Sequence, residues 1–480
     1  MTTLTQSPAT EDGAFAGPAG DAGASRMTSR QRLVLLLLLG SQFMLAVDFS
    51  ILNVALPDIG HGLGFSMANL QWIATAMMLP AAGFTLLFGR LADLAGRRRM
   101  LLTGMGLLAA GSLAGGLATS PEMLLCARVA QGLASALATP AALSLLTTSL
   151  PEGPLRDKAL GLNGTLLSAG FTIGAIFGGV LTDLLSWRWA FFLNVPVALF
   201  ILCAAPAVIE ESRGARSKLD IPGAITVTGG LLTLVYGVTM AGQHGWTDPT
   251  ALGCLAAAAL LLLAFWRIEL RAEAPLAPLG VLTRPTVKWG NFGGLITFTM
   301  ESSVIFLLTL YMQQVLDYSP LQTGLAFCGI GLAAFAGGLA APRLIGRYGT
   351  RTVLSGGLLV QALSTAAFFW LGTGGGSALT LLIAASAAGA FGHISAIVGY
   401  MVTATSGLPD DEQGLATGLA SMTQQVGVTM GIPVLSAVAT ASTAATGSVL
   451  SGVHTALLLD AVIVLAGSAL VLAGLRRRVR

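Results

Sequence analysis

Charge is scarce in this chain. Only 10% of its 480 residues are Asp, Glu, Lys or Arg, where an ordinary soluble protein carries roughly 25%. Apolar residues make up 54%, which excludes a plan of two or three soluble domains. Cysteine is scarce as well. Cys126, Cys203, Cys254 and Cys328 each fall in a different apolar run and none makes a CxxC pair, so neither a disulfide framework nor a zinc site is supported. The sequence has no P-loop, no His/Cys/Glu metal constellation and no connection longer than a few tens of residues. A membrane enzyme or sensor would need a catalytic cluster or a soluble domain, and is therefore disfavoured; no cofactor and no metal are expected.

What the chain has instead is apolar length. Mean hydropathy is +0.79, and long apolar runs recur from Leu33 to the final arginine cluster. A bilayer core of roughly 30 Å needs about 20 mostly apolar residues per helix. Membrane β-barrel strands would alternate polar and apolar residues; these runs are continuous, so helices are expected. The runs predict fourteen spans, near 33–56, 69–88, 101–119, 123–147, 158–183, 190–209, 222–241, 251–268, 289–312, 321–342, 353–372, 378–402, 414–440 and 453–475. Most of the 61 glycines lie inside these runs, where small residues let helices approach closely.

Charge placement gives an independent topology. With a cytoplasmic N-terminus and alternating sides, all the basic residues except Arg128 and Arg188 fall on the cytoplasmic side or in its tails, as the positive-inside rule demands. The expected organisation is a disordered cytoplasmic tail (1–32), a six-helix bundle (33–209), a linker with two further helices (210–288), a second six-helix bundle (289–475) and a basic cytoplasmic tail (476–480). A faint repeat supports the division. GRLADLAGRRRMLL (89–102) has a worn counterpart in GRYGTRTVL (346–354), with Gly96 and Gly349 corresponding; Gly170-x3-Gly174 likewise corresponds to Gly427-x3-Gly431. Duplicated bundles are a common transporter plan, with the binding site between the halves near mid-membrane.

The loop GRLADLAGRRRML, with Gly89, Asp93, Gly96, Arg97 and Arg98, resembles the loop signature of the major facilitator superfamily. The resemblance implies a gating latch that steadies the outward-facing state, with charge pairs at Asp93 that open and close as helices rock. LLCARVAQGLASALATP (124–140) resembles a second signature through Arg128, Gln131 and Gly132, and implies a role for Arg128 in proton transfer or in orienting the site. SAGFTIGAIFGGVL (168–181) resembles the antiporter-specific helix through Gly170, Gly174, Gly178 and Gly179, departing from it at Ala175, where the family usually has proline. AVDFSILNVALPDI (46–59), WRWAFFLNVPV (187–197) and YMQQVLDYSPLQTGLAF (311–327) resemble the fourteen-helix drug:proton antiporter branch, the EmrB/QacA-like group.

Ionisable residues inside spans are costly and mark transport pathways. Asp48, near the middle of the first span, is the expected proton-coupling residue because it can alternate between protonated and charged states. Glu301 lies 253 residues further on, the offset of the loop repeat, which suggests equivalent depth in the second half, facing Asp48 across the cavity. Asp460 and His393 are also embedded, and each could instead be structural. Asn53, Gln131, His393, Gln424 and Gln425 are candidate lining of a largely apolar cavity. The resemblance implies proton-coupled efflux of amphiphilic small molecules, drugs or antibiotics, by a monomer in the cell (inner) membrane with both termini cytoplasmic. Its expected partners are that substrate, protons and the lipid bilayer, with no nucleic acid. Uptake, or transport of a lipid or metabolite by the same machinery, is the alternative that Ala175 keeps open.

Overall fold

The structure is a computed structural model. It describes residues 27–66, 69–149, 154–213, 220–272, 275, 280, 283–406 and 410–475. The tail 1–26, Arg476–Arg480 and the side chain of Gln425 lie outside the described residues. Among the described residues the regular structure is helical throughout. In the first part of the chain it comprises α1 (Ser29–Leu63), α2 (Gln71–Ala95), α3 (Arg97–Gly116), α4 (Pro121–Ser149), α5 (Pro154–Leu184), the short α6 (Trp189–Phe192) and α7 (Asn194–Val208). Then come α8 (Ile221–His244) and α9 (Pro249–Glu269). The last part holds α10 (Pro285–Gln314), the short α11 (Pro320–Ala326), α12 (Cys328–Tyr348), α13 (Thr350–Ala367) with a 3-10 turn over Phe368–Trp370, α14 (Gly375–Thr405), α15 (Asp410–Thr446) and α16 (Val449–Gly474).

Each expected span has helix over it. Eleven helices, counting α6–α7, α11–α12 and α13 with its turn as single units, are long and apolar enough to cross a membrane. A twelfth, α2, is bent by 55° between Thr85 and Leu87. Two fall outside that set: α3 opens on Arg97, Arg98 and Arg99, and the apolar stretch of α5 is the shorter Ala169–Leu184. The chain is thus an all-helical, multi-pass membrane protein.

Local chemistry sets the helix ends. Thr28 caps α1 through a reciprocal box with Gln31, satisfying amides that the first turn leaves unpaired. Gly64 ends α1 with φ 76°, a left-handed conformation that costs glycine little. Asp248 and Ser319 cap α9 and α11, each followed by a proline.

Packing follows the sequence repeat. α5 lies along α1, and α15 along α10. Added side chains would not fit there: a Cβ at Gly170, Gly174 or Gly178 would meet the carbonyl oxygens of Phe43, Val47 and Ile51 at 2.9, 2.7 and 2.5 Å. In the second half Gly427 and Gly431 press on α10 at Leu295 to Ser303. Ser50 Oγ donates to the Phe171 carbonyl at 2.5 Å, and Ser302 Oγ to that of Val428 at 3.3 Å. The same hydroxyl-to-backbone tie recurs in both pairs.

Buried apolar side chains form two clusters. One fills α10–α16 and continues into one end of the first part, through Ile51 to Ile59, Leu70 to Met78, Trp187 and Phe191. The other gathers the opposite end of α1–α7, from Val34 to Leu45, Leu101 to Ala109, Ala134 to Leu146 and Ala198 to Ile209. The two parts of the chain therefore share a core at the end where α1 finishes. α8 packs against both α2 and α15, and Thr228 Oγ1 on α8 donates to the Gly83 carbonyl at 2.6 Å.

Candidate functional site

A charged residue in the middle of an apolar helix must find a partner or lose its charge. Asp48, mid-way along α1, finds several. It is fully buried, as is Arg128 on α4 at 2% exposure. Arg128 Nη1 donates to Asp48 Oδ2 at 3.4 Å. Gln131 Nε2 donates to Asp48 Oδ1 at 3.0 Å, and Asn194 Nδ2 on α7 donates to the same oxygen. Ser112 Oγ on α3 accepts from Gln131 at 2.9 Å and from Asn194 at 3.1 Å. Arg128 also donates to Gln131 Oε1 at 2.8 Å and, through Nε, to the Ile73 carbonyl at 2.9 Å. Five helices thus converge on one carboxylate.

The helix positions explain the convergence. Arg128 and Gln131 are three residues apart on α4 and share a face. Gly132, the next residue, lies so close to the Met77 carbonyl on α2 that no side chain fits. That contact brings the Ile73 carbonyl within reach of the guanidinium. Gln131 and Arg128 were legible as functional; Ser112 and Asn194 were missed, although Asn194 stands within the quoted WRWAFFLNVPV.

Glu301 on α10 belongs to a second network. Gln361 Nε2 on α13 donates to Glu301 Oε2 and to the Thr297 carbonyl, both at 3.3 Å. Thr297 Oγ1 donates to Gln361 Oε1 at 2.7 Å and lies 2.9 Å from His393 Nδ1 on α14. Phe298 meets the His393 ring edge-on. The structure therefore joins Glu301 to His393 through Thr297 and Gln361, and among the described residues the two carboxylates share no hydrogen-bond partner. Thr297 and Gln361 carried no sequence signal beyond being polar.

Asn53 is buried and donates to the Phe49 carbonyl of its own helix at 3.2 Å; Gln424 is half-buried on α15. A cavity of about 350 Å³ opens between Ser66, Phe306, Leu310, Ser436, Thr440 and Val453. Of the polar residues expected to line a cavity, Asn53, Gln131, His393 and Gln424 do not border it.

The loop that carries the GRLADLAGRRRML signature is built around the α2–α3 junction. Asp93 pairs with Arg97, four residues on, at 2.8 Å, so its ion pair spans the turn within one half. Gly96 holds φ 117°, and a Cβ there would lie 2.7 Å from the Glu211 carboxylate. Glu211, after α7, accepts from the Arg98 and Arg99 amides at 2.9 and 3.3 Å, an acid at the positive end of α3. Arg98 also donates to the Ile209 carbonyl at 3.0 Å. Gly89 faces Pro140 on α4 at 3.5 Å.

On α5 the glycines serve two neighbours. Gly170, Gly174 and Gly178 admit α1, while a Cβ on Gly179 would meet the Pro320 carbonyl at 2.6 Å. Ala175, the departure from the antiporter signature, lies on that second face: its carbonyl oxygen would be 2.5 Å from a Cβ on Gly324. α5 is thus wedged between α1 and the α11–α12 pair.

The chain matches the description of the Major Facilitator Superfamily over residues 38–432 and again over 292–480. It belongs to that superfamily, as a transporter and not an enzyme. It is 37% identical to the cephamycin export protein CmcT of Amycolatopsis lactamdurans, over 87% of each chain. It is also 37% identical to the puromycin resistance protein pur8 of Streptomyces alboniger, over 86% of this chain and 82% of that one. The tetracenomycin C resistance and export protein of Streptomyces glaucescens is 32% identical over 86% and 76%. In fold it is similar to a crystal structure of a POT family transporter bound to a thioalcohol-conjugated peptide, with TM-score 0.67, 14% identity and coverage of 92% and 95%.

Proposed function

We propose that this chain exports an amphiphilic small molecule, an antibiotic or similar toxic compound, in exchange for protons. The supporting observation is the buried Asp48–Arg128 pair with its Gln131 and Asn194 donors, in a chain whose relatives are named for antibiotic export and resistance. Fourteen crossings with both termini cytoplasmic put the arginine-rich connections on the cytoplasmic side. The end at which α1 finishes is then external, and the core shared there supports an inward-facing reading; the chain acts as a monomer in the cell membrane.

The pair supplies the coupling. With Asp48 charged, Arg128 is neutralised and held between α2 and α4. A proton arriving at Asp48 cancels that attraction and leaves a buried guanidinium without its counter-charge, which is costly in a dry site. Rearrangement relieves the cost, so the protonated and charged forms favour different orientations of the halves. Such differential stability is what drives a cycle. Glu301 provides a second titrating position across the repeat, and the Asp93–Arg97 turn responds as α2 and α3 move.

The test is expression in a drug-sensitive bacterium, with susceptibility measured to puromycin, a cephamycin, lincomycin and tetracenomycin C. Protection against at least one is expected, and collapse of the pH gradient should abolish efflux of that compound from inverted vesicles. Asp48→Asn should insert normally yet lose gradient-driven efflux; undiminished efflux would remove Asp48 from the mechanism.

A further inference from the structure

Among the described residues Asp460 is the one fully buried carboxylate that the mechanism above does not use. It stands on α16 with no exposure, and among the described residues neither of its oxygens completes a hydrogen bond. The Thr365 hydroxyl lies near it and the charge of Glu301 reaches it. An ionised carboxylate in such a place is strongly disfavoured.

The repeat gives this position meaning. Asp48 is served by α3, α4 and α7, through Ser112, Arg128 with Gln131, and Asn194. Glu301 is served by the corresponding helices α13 and α14, through Gln361 and, beyond Thr297, His393. Asp460 comes from α16, the counterpart of α7, and so takes the part that Asn194 plays in the first half. One element is missing: no arginine replaces Arg128. Among the described residues Asp460 therefore has no fixed cation beside it, and its charge and that of Glu301 repel one another.

The surroundings suit proton movement. A cavity of about 10 Å³ lies against Glu301, lined also by Ser364, Thr365, Phe368 and Ser386, room for about one water. Ser386 Oγ and His454 Nε2 are buried without partners among the described residues. Both stand towards the end at which α15 gives way to α16. Around Asp460, α10 contributes Glu301, α16 itself His454, and α13 Gln361 and Thr365. Arg351 of α13 is tied to the Leu472 carbonyl at 3.0 Å, at the other end, and the acids of α15, Asp410, Asp411 and Glu412, belong to its first turn, also at that other end.

We propose that Asp460 relays protons between Glu301 and that end of the molecule, so that the two carboxylates act as one proton-transferring unit. In each transfer an O–H bond breaks on one carboxylic acid and another forms on the partner carboxylate. An intervening hydroxyl or water accepts one proton as it gives up another, so no co-reactant is needed. The cavity is too small for an organic cation. This inference rests on the proton-coupled reading given above.

The test follows proton uptake without any substrate. The full chain in lipid nanodiscs is subjected to a rapid pH jump while the carboxylic acid C=O infrared band is recorded. The wild type shows a phase that Glu301→Gln removes. Asp460→Asn slows that phase by about tenfold or more, in the range by which a positioned acid or base aids proton transfer, and Asp460→Glu restores it. A Glu301 phase that Asp460→Asn leaves at the wild-type rate overturns the relay alone. Slowing that Asp460→Glu fails to rescue, with a matching loss of thermal stability, overturns it in favour of a structural role. Absence of any Glu301 phase in the wild type overturns the underlying reading of that site.

Discussion

Asp48 and Arg128 hold one another in a place where neither could remain charged alone. Removing one member of a buried ion pair costs about 3–5 kcal/mol, because the survivor is stranded. Arg128→Leu should therefore lower the thermal midpoint markedly in detergent, and combining it with Asp48→Asn should recover most of that loss while transport stays absent. Stability that fails to recover in the double variant would mean that the two side chains are not energetically coupled. Arg128→Lys should also fail to transport. An ammonium on a flexible stem cannot reproduce the planar fork that here reaches Asp48, Gln131 and the Ile73 carbonyl together. The charged members of this network were legible because an ionisable residue inside an apolar run is conspicuous. Ser112 and Asn194 were not: a neutral polar side chain in a span gives the same signal whether it binds a carboxylate or its own helix, as Asn53 does. Glu301 was legible for the same reason as Asp48. Its partners Gln361 and Thr297 were not, because a sequence offset fixes depth along a helix but says nothing about which neighbours the side chain reaches.

Helices extend beyond the spans that hydropathy marks. α2 continues past residue 88 to Ala95, and α15 reaches from Asp410 to Thr446, since backbone hydrogen bonding does not stop at the membrane surface. The interruptions at Leu193 and Phe327 fall inside long hydropathic runs and left no trace in mean hydropathy. Glycine spacing was more informative, because close helix contact tolerates little else. Gly174 faces the Val47 backbone, so Gly174→Val should force α1 and α5 apart. Overpacking of this kind costs about 1–3 kcal/mol, and a lower thermal midpoint with reduced membrane yield is expected; an unchanged midpoint would show that the α1–α5 contact can give way freely. At the α2–α3 junction, Glu211 explains what the loop signature alone did not. Glu211→Gln retains the shape but removes the charge that meets two α3 amides. Its effect should be small on stability and larger on transport rate, measured as efflux at saturating compound.

On the scale of the whole molecule the two halves meet through a shared core at the end where α1 finishes, and a polar tie crosses that contact. Gln313 Nε2 on α10 donates to the Val54 carbonyl on α1 at 2.8 Å. Close by, Gly179 and Gly324 bring α5 and α11 backbone to backbone. Backbone contact of this kind is easily separated, since no side chains interlock, whereas the Gln313 bond must be broken each time that end opens. A hydrogen bond of this sort contributes about 1 kcal/mol net, a factor of about five in an equilibrium constant. Gln313→Leu keeps the bulk and loses the bond, so it should shift the population by about that factor towards the form open at the α1–α11 end. The shift can be read as faster labelling of a cysteine introduced at the buried Ala326 of α11, in a background lacking Cys126, Cys203, Cys254 and Cys328. In the proposed cycle the two orientations differ in which face Asp48 addresses, so the same variant should change how steeply export depends on the external proton concentration. Labelling that stays at the parental rate would mean the shared core, and not this bond, holds that end closed.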